Sequence, residues 1–370
     1  MLTIKQDTGI SYNFIANKYT NIPFEQSLFF DIETTGFTAK NTKLYLIGCL
    51  YADKSTGHFI SVQWFLDNYN DEAALIKAFA DFSKDFTTLI HFNGQGFDIP
   101  YMEAKCQNHN IHLDFSAFNH IDIYKCASKI KNLIKTENLK QKTLENFMGL
   151  DREDMFSGGD LIAVYHDYME RKDDRLFEFL LLHNYEDIKG MLTVLDVLSY
   201  TTILNGAYTF DSIGIEVSSC ANGTERKEAI IQCTLNNPVP VRVSCSYGEW
   251  YMTVFDNKLK LKVDIYSDEL KYFYPEYKDY YYLPVEDRAI HKSVAFYVDK
   301  NYRVRAKVAN CYSKKSGAFM PQYEEIVTPY FKREYNDKKL YFEATDDFLN
   351  NDELVFNYAK HIVEYLMKVK

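Results

Sequence analysis

The sequence predicts an α/β domain over residues 25–200 and a second, mainly antiparallel β domain over residues 201–370, with residues 1–24 as a lead-in. Two patterns predict this division. Up to Tyr200, apolar strand-like runs alternate with amphipathic helical patterns, the alternation of a sheet covered by helices. From Ile230 onward, β-branched and aromatic runs follow one another between polar turns. A third observation bears on chemistry: acids stand where the apolar runs of the first domain stop, at Asp31, Glu33 and Asp98.

The elements follow in order. The lead-in ends at Ile22-Pro23, and strands are expected at 28–32, 43–51 and 59–65. Ala74, Leu75, Ala78 and Phe79 give residues 71–86 helical periodicity. A core strand at 88–92 runs into Asn93-Gly94, and Pro100 in its first turn opens a helix to Asn108. Residues 120–124 read as a short strand, and an acidic-polar loop is expected before Asp160. The last helix of the domain, 176–200, carries Leu181, Leu182, Ile188, Met191, Leu192 and Leu195 as its apolar face. Beyond it, strands are expected at 239–246, 250–255, 260–265, 293–298 and 302–309, with a turn at Asp256-Asn257 and a closing helix at Asp352–Lys368.

A chain of 370 residues with 46% hydrophobic content has room for two cores, and its 30 Tyr and 27 Phe are unusually many. The net charge of −10 is uneven: residues 1–199 hold 28 acids against 19 bases, the remainder 24 against 23. Such acidity argues against tight non-specific binding of a duplex, although acids that hold cations account for part of the excess. No secretory pattern is visible, and no run reaches the roughly 20 apolar residues of a membrane span. Cysteines 49, 106, 126, 220, 233, 245 and 311 form no Cys-x-x-Cys pair. Reduced thiols in a cytoplasmic protein without a membrane partner are the expectation.

The chemistry concentrates in three segments. In Leu28-Phe29-Phe30-Asp31-Ile32-Glu33-Thr34-Thr35-Gly36-Phe37, the two acids are two apart and project from one strand face. Neighbouring acids repel and lose solvation unless a cation neutralises them, so the pair is either a metal cradle or two solvated acids on an edge strand. In His91-Phe92-Asn93-Gly94-Gln95-Gly96-Phe97-Asp98-Ile99-Pro100, a third acid follows a turn whose glycines, Gly94 and Gly96, allow unusual, left-handed backbone angles and close approach of a ligand. In His183-Asn184-Tyr185-Glu186-Asp187, His183 and Asp187 are one helical turn apart on a shared face. His183 is either a base or a histidine packing that face. Asp122 either supports the metal ligands or is an ordinary strand-end acid.

The order Phe-Asp-Ile-Glu-Thr-Thr-Gly, His-Phe-Asn-Gly-x-x-Phe-Asp-Ile-Pro and Leu-x-His-Asn-x-x-Asp-Ile resembles the DEDD (DnaQ-like) 3′–5′ exonuclease superfamily, nearest to its bacterial YprB-like branch, over roughly residues 25–200. The resemblance implies a ribonuclease H-like mixed sheet with flanking helices. It implies Asp31, Glu33, Asp98 and Asp187 as ligands of two Mg²⁺ or Mn²⁺ ions, hard ions suited to oxygen ligands. His183 would then be the base, with Asp122 and Asn184 behind the ligands. Thr34, Thr35, Gly36, Phe37, Asn93, Gly94, Phe97 and Tyr101 would contact substrate. Members with a histidine base place it five residues before the last Asp and the tyrosine class four before; His183 stands four before, and Tyr185 two before.

In the second domain, Lys271-Tyr272-Phe273-Tyr274 and Tyr280-Tyr281-Tyr282 mix rings with lysines, and Lys314-Lys315 stand before Ser316-Gly317 in what reads as a loop. Such a mixture suits stacking on single-stranded bases, and equally suits packing between sheets. Lys314 and Lys315 are the phosphate candidates. The leading expectation is a metal-dependent exonuclease on single-stranded DNA or RNA. The alternatives are a two-metal phosphoesterase of nucleotides or short oligonucleotides, and a non-catalytic binding module on the same fold.

Overall fold

A computed structural model describes residues 1–19, 21–152, 158–219 and 225–368. The expected loop at 153–157 and Cys220 lie outside the described residues. The chain divides into two compact units, residues 1–131 with 135–201, and residues 132–134 with 202–370.

The first unit begins with strand β1 (Leu2–Ser11) and helix α1 (Tyr12–Lys18), followed by β2 (Ser27–Thr34), β3 (Leu44–Asp53), β4 (His58–Phe65), α2 (Glu72–Ser83) and β5 (Thr88–His91). It continues with α3 (Asp98–Asn108), β6 (Asn119–Asp122), α4 (Ile123–Lys129), α5 (Lys131–Ile134), of which residues 132–134 count with the second unit, α6 (Gln141–Phe147), α7 (Gly158–Arg171), α8 (Asp174–Val194) and α9 (Val197–Leu204), whose residues from 202 onward count with the second unit. The strands form one mixed sheet in the order β1-β4-β3-β2-β5-β6. Strands β1 to β4 pair antiparallel, whereas β5 and β6 join β2 in parallel. Strand β2 is central and apolar on both faces, with Leu28, Phe29 and Phe30 wholly buried. Burial of each phenylalanine is worth about 1.5–3 kcal/mol, so the strand that carries Asp31 and Glu33 is firmly seated.

Three expectations need correction here. The lead-in is largely a strand, β1, which extends the sheet along β4 from Leu2 opposite Phe65 to Asp7 opposite Ile60. Its residues are mostly exposed, so it lacks the apolar content that marks a core strand. Residues 158–171, taken in part as loop, form α7; Leu161, Tyr165 and Tyr168 recur at helical spacing and are buried. Gly94 and Gly96 do not take the left-handed backbone; Asn93 does, at φ +59°.

The second unit contains a six-stranded antiparallel sheet and a small three-stranded one. Its strands are β7 (Tyr208–Ser219), β8 (Glu225–Tyr247), β9 (Trp250–Phe273), β10 (Tyr280–Leu283), β11 (Arg288–His291), β12 (Val304–Arg305), β13 (Tyr312–Gln322), β14 (Tyr330–Phe331) and β15 (Leu340–Glu343). Helices α10 (Lys292–Ala295), α11 (Asp346–Leu349) and α12 (Asp352–Lys368) complete it. Asp256 is no hairpin turn; it lies inside β9 at φ +50°, opposite Val239 where the register slips, as in a bulge. The strand expected at 293–298 is α10 with its C-terminal turn, because Val294 to Val298 are consecutive apolar residues of which only Ala295 is buried. The strand expected at 302–309 shrinks to β12.

Lys314 and Lys315 lie in β13, not in a loop, and each meets a carboxylate at 2.5 Å, Asp287 and Glu343 respectively. The neighbouring tyrosines are engaged internally. Tyr274 stacks on Tyr280 at 4.5 Å, and the hydroxyls of Tyr282 and Tyr312 both donate to Asp287 at 2.5 Å. These rings are thus partnered within the unit, and both lysines are exposed but ion-paired.

Candidate active site

Asp31 and Glu33 project from the same face of β2, and in the ladder Asp31 stands opposite Gly48 of β3, which stands opposite Gln63 of β4. The space above Gly48 is filled by Asn184 of α8. Its Nδ2 donates to Asp31 Oδ2 at 3.0 Å, and its Oδ1 accepts from Gln63 Nε2 at 2.9 Å. Gln63 Nε2 also donates to the Leu181 carbonyl at 2.9 Å. A Cβ at position 48 would fall 1.9 Å from Asn184 Oδ1, so glycine is what lets the helix side chain reach the strand. Gln63 and Asn184 are both buried, which makes each of these bonds costly to lose.

Asp98 opens α3 and accepts from the Ile32 amide at 3.3 Å. Burial pushes its carboxyl up to about 7 against the pull of its backbone donors. Burial, then the charges of Asp187, Asp98 and Glu33, hold Asp31 well above the usual carboxylate range. Behind them, Asp122 caps α4 through the Lys125 amide at 3.3 Å and accepts from the Asn93 amide at 3.1 Å. It thereby anchors the loop that leads to Asp98. Its other oxygen is buried without a hydrogen bond and lies 3.7 Å from His91 Nδ1.

Helix α8 starts at the N-cap Asp173, whose side chain accepts from the Arg175 amide, and its inner face brings in His183, Asn184 and Asp187. His183 Nε2 lies 3.3 Å from Asp187 Oδ2 and 3.6 Å from Glu33 Oε1. Donor atoms of Glu33, His183 and Asp187 all fall within 4.8 Å of one another. The other Asp187 oxygen is taken: Arg152 Nη1 lies 2.6 Å from Oδ1, while its Nη2 and Nε bond Glu145. Gln141 Nε2 bridges Glu145 and the Asp187 carbonyl at 2.9 and 2.7 Å. Glu145 is wholly buried against Gly190, where a Cβ would sit 1.9 Å from its Oε1. Burial works against the Arg152 charge, and Glu145 with Asp187 more than restores it.

Asp31, Glu33, Asp98, His183 and Asp187 line one cavity of about 670 Å³. Of the residues expected to touch substrate, Phe37, Asn93 and Phe97 also line it. The rest serve local structure. Thr34 Oγ1 donates to the Gly36 carbonyl, Thr35 Oγ1 accepts from the Lys43 amide, and the Gly94 amide donates to His91 Nδ1. Tyr101 is buried with its hydroxyl 2.7 Å from Thr42 Oγ1. Tyr124, Asn138, Lys140 and Gln141 complete the wall, and they and Arg152 were missed in the sequence. The polar stretch 138–141 carries no spacing that distinguishes it from a loop.

These residues fit hard divalent cations. Four carboxylates and one imidazole converge on a cavity, two of the acids are held above their ordinary range by burial, and the guanidinium that reaches the group is itself matched by Glu145. An oxygen-rich set of this kind is poorly suited to zinc, which prefers nitrogen and sulfur.

The mixed sheet with helices on its faces gives the first unit a ribonuclease H-like fold. Residues 28–199 match the model of the RNase_H superfamily. The uncharacterized protein YprB of Bacillus subtilis (strain 168) is 26% identical over 203 residues, 52% of this chain and 46% of that protein. The chain thus spans about half the length of the curated relative that it matches. Among solved structures, one titled apo form of the nuclease aligns at 14% identity with a TM-score of 0.32, over 53% of this chain and 80% of that one. Exonuclease I of E. coli in complex with a dT13 oligonucleotide aligns at 12% identity with a TM-score of 0.29, over 56% of this chain and 54% of that one. Among the described residues, no helix is long and apolar enough to cross a membrane.

Proposed function

We propose that this chain is a metal-dependent exonuclease that hydrolyses single-stranded DNA or RNA from the 3′ end, with Asp31, Glu33, Asp98 and Asp187 holding two Mg²⁺ or Mn²⁺ ions. The observation that carries the proposal is the convergence of the four acids and His183 on one cavity. Two such ions, when bound, neutralise the phosphodiester and lower the pKa of a bound water. The chain's own part is positioning. Asn184 and the Ile32 amide fix one oxygen each of Asp31 and Asp98, so these ligands need little reorganisation when a cation arrives. His183, which lines the same cavity, is the group to accept the proton of the attacking water, with Asp187 Oδ2 and Glu33 Oε1 beside its Nε2.

Substrate contacts follow from the wall. Phe37 is 89% exposed and meets Phe97 edge to face at 6.0 Å, which offers a ring for a terminal base. Lys140 brings a cation for a phosphate. The 3′ polarity follows the family resemblance.

The test incubates 5′-labelled single-stranded DNA and its RNA counterpart with Mn²⁺ or Mg²⁺, beside an EDTA control and Asp31→Asn. A ladder that shortens from the 3′ end, absent in both controls, is expected. Intact strands with cleavage of dinucleotides instead would sink the long-strand reading and favour a phosphoesterase of short substrates.

A further inference from the structure

Between Arg288 and Lys307 the sequence holds six Lys or Arg and one acid, Asp299, in a chain whose net charge is −10. This stretch builds much of the small sheet β11-β10-β12 and the helix α10 beside it. One face of that sheet is closed, with Tyr280 and Tyr282 packed over buried Ala289, Ala306 and Cys311. On the other face Tyr281 stands opposite Ile290 on one side and Arg305 on the other. The guanidinium carbons of Arg303 and Arg305 lie 5.0 and 4.5 Å from the Tyr281 ring centroid. Arg303 also donates to the Ala295 carbonyl, which ties this pair to the end of α10. There Phe296 and Tyr297 are 76% and 86% exposed and meet edge to face at 5.5 Å, and Tyr302 is 58% exposed. Among the described residues, Lys292 pairs with Asp279, and the other five cations of the stretch meet no carboxylate within ion-pair distance.

We propose that this face binds single-stranded nucleic acid, with Phe296, Tyr297 and Tyr302 stacking on bases and Arg303, Arg305 and Lys300 on the phosphates. Large rings left in water beside unpaired cations are poorly arranged for burial against an apolar partner, because the cations would be desolvated with them. A polyanion with flat, unpaired bases satisfies both at once. The cations here are local, whereas the chain as a whole is acidic, so contact is confined to this patch. The choice of occupant rests on the nuclease reading of the cavity; the site itself lies in the second unit and needs no hydrolysis.

The test is fluorescence anisotropy of labelled oligothymidine and oligouridine with the full-length Asp31→Asn protein in EDTA, so that nothing is cut. Phe296→Ala/Tyr297→Ala and Arg303→Ala/Arg305→Ala are compared, with thermal melting to check the fold. Each pair is expected to weaken binding about tenfold or more. The arginine pair should also lower the log–log salt slope by about 1.4, roughly 0.7 per lost phosphate contact. Unchanged affinity and slope in both variants, or no binding by the parent, overturns the proposal. Capture by anionic vesicles without binding of either oligonucleotide overturns it in favour of a lipid surface. A strand that is cut by the wild type yet bound independently of these residues defeats this site and leaves the nuclease reading standing.

Discussion

Arg152 Nη1 lies 2.6 Å from Asp187 Oδ1, and the same guanidinium is forked onto Glu145. One of the four site acids is thus oriented by an ion pair that does not face the cavity. Both Arg152 and Glu145 are almost wholly buried. Arg152→Met strands the Glu145 charge and is expected to destabilise the protein by about 3–5 kcal/mol. Glu145→Leu added to Arg152→Met should recover much of that loss while hydrolysis stays impaired, because Asp187 remains untethered. Urea midpoints of the single and double variants check this; a double variant no more stable than Arg152→Met would refute it.

Asp31→Asn should abolish hydrolysis and yet stabilise the metal-free protein. An acid whose native pKa is raised by burial and neighbouring charges opposes folding once pH exceeds its unfolded value of ~3.9, and the penalty grows until the native pKa is reached. Removing the charge relieves a cost on the order of 1 kcal/mol per pH unit across that window. Melting in EDTA from pH 4 to 7 should show a wild type that loses stability relative to Asp31→Asn as pH rises. Added Mn²⁺ should raise the wild-type melting temperature and leave the variant's almost unchanged.

Gly48→Ala is expected to cost about 1–3 kcal/mol by overpacking and at least tenfold in kcat, since its Cβ takes the place of the Asn184 amide. Asn184→Asp is the complementary change. It puts a carboxylate beside Asp31 and should be as inactive as Gly48→Ala, with tighter dependence on metal concentration. Steady-state kinetics against Mn²⁺ distinguishes the two.

His91 is wholly buried, and its Nδ1 accepts from the Gly94 amide, so the proton sits on Nε2, 3.2 Å from His120 Nδ1. Burial lowers its pKa to about 4, with Asp122 pulling the other way. A base whose native pKa is depressed favours the unfolded chain as soon as pH falls below the unfolded value of ~6.5, and the loss is complete near the native pKa. The fold should therefore lose about 3 kcal/mol between pH 6.5 and 4 through this residue. His91→Asn should flatten that part of the stability profile, measured as the difference in urea midpoints between the two proteins.

How far the site could be read in advance depended on the distance over which its parts cooperate. Asp31 with Glu33, and His183 with Asp187, are pairs whose spacing within a strand or a helix already sets a shared face. Arg152 and Glu145 have no such spacing to Asp187; their meeting is a matter of how α6 packs beside α8. Edge strand β1 escaped for a different reason: with one side open to water it needs few apolar residues. The tyrosines of 271–282 stayed ambiguous because a ring that packs and a ring that stacks on a base leave the same letter in the sequence. Their partners decide, and Tyr274 and Tyr280 had each other.

The line from Asp31 through Asn184 to Gln63 crosses two neighbouring strands, yet neither Gln63 nor Gly48 borders the cavity. In a saturation screen scored on hydrolysis, these two positions would rank with the carboxylates. In a screen scored on nucleic-acid affinity alone they would pass as silent. The gap between the two maps would trace the path by which β4, two strands away from Asp31, reaches the chemistry.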